Sequence, residues 1–134
     1  MIRRLMLAAA AAALPAVALA GDARRDAILA GYAAKAGVAS FSAGRGESLF
    51  RTRWAGGDAR TASCTACHTD DPRQPGRNAK TGRPIKPVAV SVNPGRFTDA
   101  AKVEKQFARD CRSVLGRECT PLEKGDYITF MAGQ

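Results

Sequence analysis

The chemistry of this chain concentrates in five consecutive residues, Cys64-Thr65-Ala66-Cys67-His68. Two thiols three positions apart can each form a thioether with a vinyl group of one porphyrin, and the residue that follows then presents an imidazole to the iron. His68 is the only histidine, so the proximal ligand has no competitor. The remaining cysteines, Cys111 and Cys119, would complete a four-thiolate zinc site with Cys64 and Cys67. A thiol redox pair is the other chemistry open to such a spacing, but no βαβ pattern surrounds it. Only haem accounts for the adjacent histidine together with the export segment described below. One covalent haem c, held by Cys64, Cys67 and His68, is therefore the expected cofactor.

The motif leaves the other face of the iron undetermined. Electron carriers usually place methionine there, because a thioether favours ferrous iron and raises the potential. Beyond residue 20 the only methionine is Met131, fourth from the end, where neighbouring Tyr127, Ile128 and Phe130 read as packing residues and suggest the same role for it. The preceding helical stretch is more informative: Val103, Phe107, Asp110 and Val114 fall on one stripe, and Asp110 is its single acid. A carboxylate facing inward needs a partner, since burying it alone costs several kcal/mol or forces it to take up a proton. Ferric iron would be such a partner; solvent, Lys105, Arg109 or Arg112 are the alternatives. Cys111 and Cys119 lie eight apart, and in an exported protein a bridge between them would hold the end of the helix that carries Asp110. Two free thiols beside the haem are the other reading of that pair.

Several elements must position these groups. Arg3 and Arg4, an apolar run from Leu5 to Ala13 and Ala18-Leu19-Ala20 read as a cleavable signal peptide over residues 1–20, with the mature domain at 21–134. The apolar stretch is too short, and Pro15 too disruptive, for a stable membrane anchor. Loss of that segment removes two arginines and no acids, so the formal charge falls from +9 to +7 over 114 residues. Basic residues are scattered without a basic run, which suits solubility and steering toward an acidic redox partner and argues against nucleic acid. Helices are expected from Asp22 to Lys35, ending near Gly37, and for a turn or two between Ser42 and Trp54. Beyond His68, Pro72, Pro75-Gly76, Gly82, Pro84, Pro87 and Asn93-Pro94-Gly95 punctuate a long irregular loop that would wrap the haem edge. Thr98 is expected to cap a helix running to about Arg112, and Thr120-Pro121-Leu122-Glu123 forms a capping box for a last helix to about Met131. The fold class is all-α, with a haem as part of a thin core.

Taken together, Arg96-Phe97-Thr98-Asp99, Lys102-Val103-Glu104-Lys105, Arg109-Asp110-Cys111, Val114-Leu115-Gly116-Arg117, Cys119-Thr120 and Glu123-Lys124 resemble the sphaeroides haem protein (SHP) family of monohaem cytochromes c. Gly31-Tyr32, Leu49-Phe50, the haem motif and Thr81-Gly82 fit as well, so the likeness spans most of the mature chain. The resemblance implies a small class I-like cytochrome c fold, a disulfide between Cys111 and Cys119, and an asparagine as distal ligand immediately before the first disulfide cysteine. Here that position is Asp110, so the location of the sixth ligand carries over and its identity does not. Asp110 is the leading candidate, with Asn93, held extended by Pro94, and an open or water-bound site as alternatives. Either oxygen donor prefers ferric iron and should let go on reduction. The resemblance further implies a periplasmic protein that takes electrons from a multihaem cytochrome c and binds oxygen or nitric oxide, with conversion of that gas as a further activity. A plain electron carrier, six-coordinate in both oxidation states, is the rival reading. A gas sensor would need a signalling domain that the chain does not have.

Overall fold

The structure is a computed structural model that describes residues 22–134; the expected signal peptide lies outside the described residues. Five α-helices carry the described part: α1 (Ala23–Ala36), α2 (Ala43–Arg51), α3 (Thr65–His68), α4 (Ala100–Leu115) and α5 (Pro121–Ala132). Helix α1 begins where the Asp22 carboxylate accepts the Arg24 amide and ends at Gly37, whose φ of +66° suits a residue without a Cβ. Ser42 caps α2, and Thr120 with Glu123 closes a reciprocal capping box on α5 over Pro121.

Helices α2 and α5 form the tightest seam. A Cβ added at Gly46 would stand 2.0 Å from the Asp126 carbonyl oxygen, so only glycine permits this approach. Phe50 is completely buried there, its ring 6.3 Å from Tyr127 and 5.8 Å from Phe130. The same seam buries an acid: Asp126 accepts from the Ser42 amide at 2.7 Å and from Arg45 Nε at 2.6 Å, so its charge is hydrogen-bonded. Met131 is also completely buried, and its carbonyl accepts from the Val90 amide at 3.0 Å.

Helix α4 is longer than its sequence signals suggest and starts one residue later. Asp99, not Thr98, is the cap: its carboxylate accepts the Lys102 amide at 3.0 Å, while the Thr98 hydroxyl donates to the Gly95 carbonyl and closes the turn before it. Both side chains can cap, and the acid takes the position because the threonine is engaged upstream. The helix ends at Leu115, with Gly116 at φ +74°. Val103, Phe107, Cys111, Val114 and Leu115 are its buried residues. The long connection from α3 to α4 contains a short antiparallel pair, β1 (Gly76–Arg77) with β2 (Pro84–Ile85), paired Gly76 to Ile85. Among the described residues no helix is long and apolar enough to cross a membrane.

Candidate haem site

The haem motif is a local structure. Cys64 opens α3, and the single turn to His68 is closed by the His68 amide donating to the Cys64 carbonyl at 3.0 Å. Thr69, at φ +63°, then turns the chain away. The β1–β2 hairpin closes against this turn: a Cβ on Gly76 would meet the Cys67 carbonyl oxygen at 2.0 Å, and the Ala79 amide donates to Cys67 Sγ at 3.3 Å. Thus the loop that follows His68 folds back onto the motif.

Cys64, Cys67 and His68 line a cavity of about 570 Å³. Its apolar wall includes Leu49, Phe97, Val103, Phe107, Val114 and Tyr127, drawn from α2, α4, α5 and the preceding loop. Burial pushes the Cys64 thiol up to about 12, with the Asp110 carboxylate adding to the effect. That is the reverse of the lowered pKa which makes a thiol reactive or metal-binding. Cys111 and Cys119 meanwhile bond to each other, S–S 1.96 Å and Cα–Cα 5.6 Å, so four thiolates do not converge. Among the described residues no group of three or more histidine, cysteine or acidic side chains is placed to hold a metal ion alone. The His68 imidazole is held neutral, first by burial and then by Arg96, which suits a ligand that donates a lone pair.

Asp110 lies on the wall of the same cavity. Its side chain is 47% exposed, and its Oδ1 accepts from Arg109 Nε at 2.7 Å. Asn93 is not on that wall; its amide donates to the Pro87 carbonyl at 2.8 Å. Met131 belongs to the core described above.

Two arginines near the cavity were not singled out as site residues by the sequence. Arg25, which looks like a surface cation on α1, is only 5% exposed and donates to the carbonyls of Pro94, at 2.7 Å, and Arg96, at 2.9 Å. Arg96 itself lines the cavity, with its guanidinium 5.0 Å from the centre of the Phe97 ring. Its Nε is the one buried side-chain nitrogen or oxygen among the described residues without a hydrogen-bond partner. Phe97 is held at φ +60°, a conformation that costs a bulky residue about 1–3 kcal/mol and persists only where its surroundings impose it. A large apolar cavity with two thiols and one imidazole on its wall, and an unsatisfied donor beside them, fits a flat apolar macrocycle with a polar edge. Haem c is that group.

Comparison with known proteins agrees with this geometry. Residues 36–131 match a family described as a domain of unknown function, DUF1924. The cytochrome c-type protein SHP of Cereibacter sphaeroides is 46% identical over 123 residues, covering 92% of this chain and 94% of that protein. Cytochrome c'' of Methylophilus methylotrophus is 38% identical over 86 residues, 64% of this chain and 60% of its own. Among solved structures, oxidised SHP, described as an oxygen-binding cytochrome c, superposes with a TM-score of 0.78 at 45% identity, covering 82% of this chain and 96% of that one. Oxidised cytochrome c'' gives 0.70 at 29% identity, covering 84% and 95%. A solution structure of cytochrome c'', concerned with haem-ligand detachment in that protein, gives 0.68 at 30% identity, covering 84% and 94%. The chain thus belongs to the SHP family of monohaem c-type cytochromes, with an all-α class I-like fold and haem c as its cofactor.

Proposed function

We propose that this protein is a periplasmic cytochrome that takes up an electron and then binds a small diatomic gas, oxygen or nitric oxide, at the position Asp110 vacates on reduction. Haem supplies a redox-active iron whose sixth position can accept either a protein side chain or a gas. In this reading Cys64 and Cys67 would hold the macrocycle through thioethers, and His68 would offer its imidazole to the iron. Asp110 offers a carboxylate oxygen, a hard donor that prefers the ferric state and is weakly held in the ferrous one.

The observation that carries the reading is the placement of Asp110. Asp110 lines the same cavity as Cys64, Cys67 and His68, while Asn93 and Met131 are engaged elsewhere. The geometry also offers the released carboxylate a resting place, because Arg109 Nε is already 2.7 Å from Oδ1. Relatives described as oxygen-binding, in one case, and as detaching a haem ligand, in the other, support the same reading. Electron entry fits a multihaem cytochrome c donor approaching a basic domain.

Ferric absorption spectra of the holoprotein variants test the ligand. Asp110→Ala should change the ferric spectrum and raise the midpoint potential, and Asn93→Ala should do neither. The opposite pattern would move the ligand to the loop.

A further inference from the structure

We infer that Arg96 is the anchor for a haem propionate, gripping the carboxylate from inside the cavity wall. Three independent features converge on that residue. Its Nε is buried and has no acceptor in the protein, although a buried donor is nearly always paired. Its backbone is clamped from a distance of 71 residues: Arg25 on α1 donates Nε and Nη2 to the Arg96 carbonyl, at 3.2 and 2.9 Å, and Nη2 to Pro94 as well. Its neighbour Phe97 is held in the left-handed region, beneath the guanidinium and edge-on to Tyr127 at 6.1 Å.

A guanidinium held in this way wants a planar anion. Its fork matches a carboxylate with two parallel hydrogen bonds, which a neutral acceptor or a lone water cannot reproduce. The cations around it are less suited. Lys80 pairs with Asp58 at 3.1 Å, Arg109 pairs with Asp110 at 2.7 Å, and Arg83 is exposed. The group that enters this cavity carries carboxylates on one edge, so the wall and its occupant complement each other. Arg25 then acts as a positioning residue, fixing the loop that aims Arg96.

The test uses holoprotein and needs no turnover. Resonance Raman spectra report propionate hydrogen bonding through the propionate-bending band, and redox titration reports the charge. Arg96→Leu should shift the band and disfavour reduction about tenfold, which is about 59 mV for one electron. Arg96→Lys should shift the band while keeping most of the potential, because it restores the charge but not the fork. Arg73→Leu, which removes a cation from an exposed pair with Asp71 outside the cavity wall, should leave both unchanged. If Arg96→Leu does not retain haem, the lysine variant and Arg25→Met, which loosens the clamp, carry the same band criterion. An unmoved band in every variant that retains haem would overturn the assignment. So would a change of ferric spin state with an unmoved band, since Arg96 would then be serving Asp110.

Discussion

The two sides of the haem site are built by different means. The proximal side is one turn of helix: Cys64, Cys67 and His68 sit within five residues, and their relative placement follows from helical geometry alone. The distal side is assembled from distance. Asp110 reaches the cavity because α4 packs Val103, Phe107 and Val114 into the core and because Cys111, its neighbour, is bonded to Cys119 ahead of α5. A covalent, local proximal side can be permanent. Asp110, 47% exposed on a packed helix and within reach of Arg109, could take two positions if it is the distal ligand proposed above. The difference predicts which perturbations abolish the site and which only retune it.

The largest effect should come from the proximal side. Cys67→Ala should leave a single thioether, seen as a red-shifted reduced band of the pyridine haemochrome, and Cys64→Ala with Cys67→Ala should abolish covalent haem and let it be extracted into acidified organic solvent. The apoprotein should not hold its fold. Without haem the apolar side chains lining this cavity of about 570 Å³ would face water instead of the macrocycle, a loss of about 1.5–3 kcal/mol for each large side chain so exposed, against a whole stability of about 5–15 kcal/mol. Circular dichroism of the haem-free chain measures this; a cooperative native-like melt would show that haem is not part of the core.

Next in size is the distal staple. Replacing Cys111 and Cys119 together by serine should cost about 2.5 kcal/mol, the chain-entropy value for so short a loop. It should also broaden the ferric spectrum without loosening the thioethers. Equal damage to both sides would break the distinction between them.

Asp110→Asn sharpens the comparison further, because it keeps an oxygen donor and removes its charge. A unit charge a few ångströms from iron at an effective dielectric of about 20 is worth on the order of 100 mV, so the midpoint potential should rise by that order. Redox titration beside Asn93→Ala, which should stay at the wild-type value, checks it.

The smallest effect lies away from the haem. The Glu123 carboxyl is held below its ordinary range, chiefly by its hydrogen bond from Arg117. The folded state therefore binds this proton less readily than the unfolded chain does. The stability is present above the unfolded pKa, near ~4.3, and is lost as pH falls through the folded value. With Arg117 half exposed the contribution should be under about 1 kcal/mol. Melting temperatures of Glu123→Gln should trail the native protein at pH 7 and converge on it in acid, with the haem spectrum unaffected throughout.

What the sequence made legible follows the same division. The haem motif, the Asp22, Ser42 and Thr120 caps and the Gly37 stop are local features, and each can be read from a few adjacent residues. The Asp110 stripe was legible as a periodicity, but its partner was not, because Arg109 is one of several nearby cations. The sequence pointed to Thr98 as the cap of α4, and Asp99 takes that place because the threonine hydroxyl is engaged by the Gly95 carbonyl, a contact that no short-range pattern announces. Arg25 stood out least: nothing within α1 distinguishes a cation that clamps a loop 71 residues away from one that faces solvent.

The central claim is that the distal position opens on reduction. Absorption spectra of the reduced holoprotein, taken before and after adding carbon monoxide, test it most directly. A high-spin ferrous spectrum that shifts on adding the gas is the expected result. A low-spin ferrous spectrum indifferent to carbon monoxide would contradict it and leave a plain electron carrier, six-coordinate in both oxidation states.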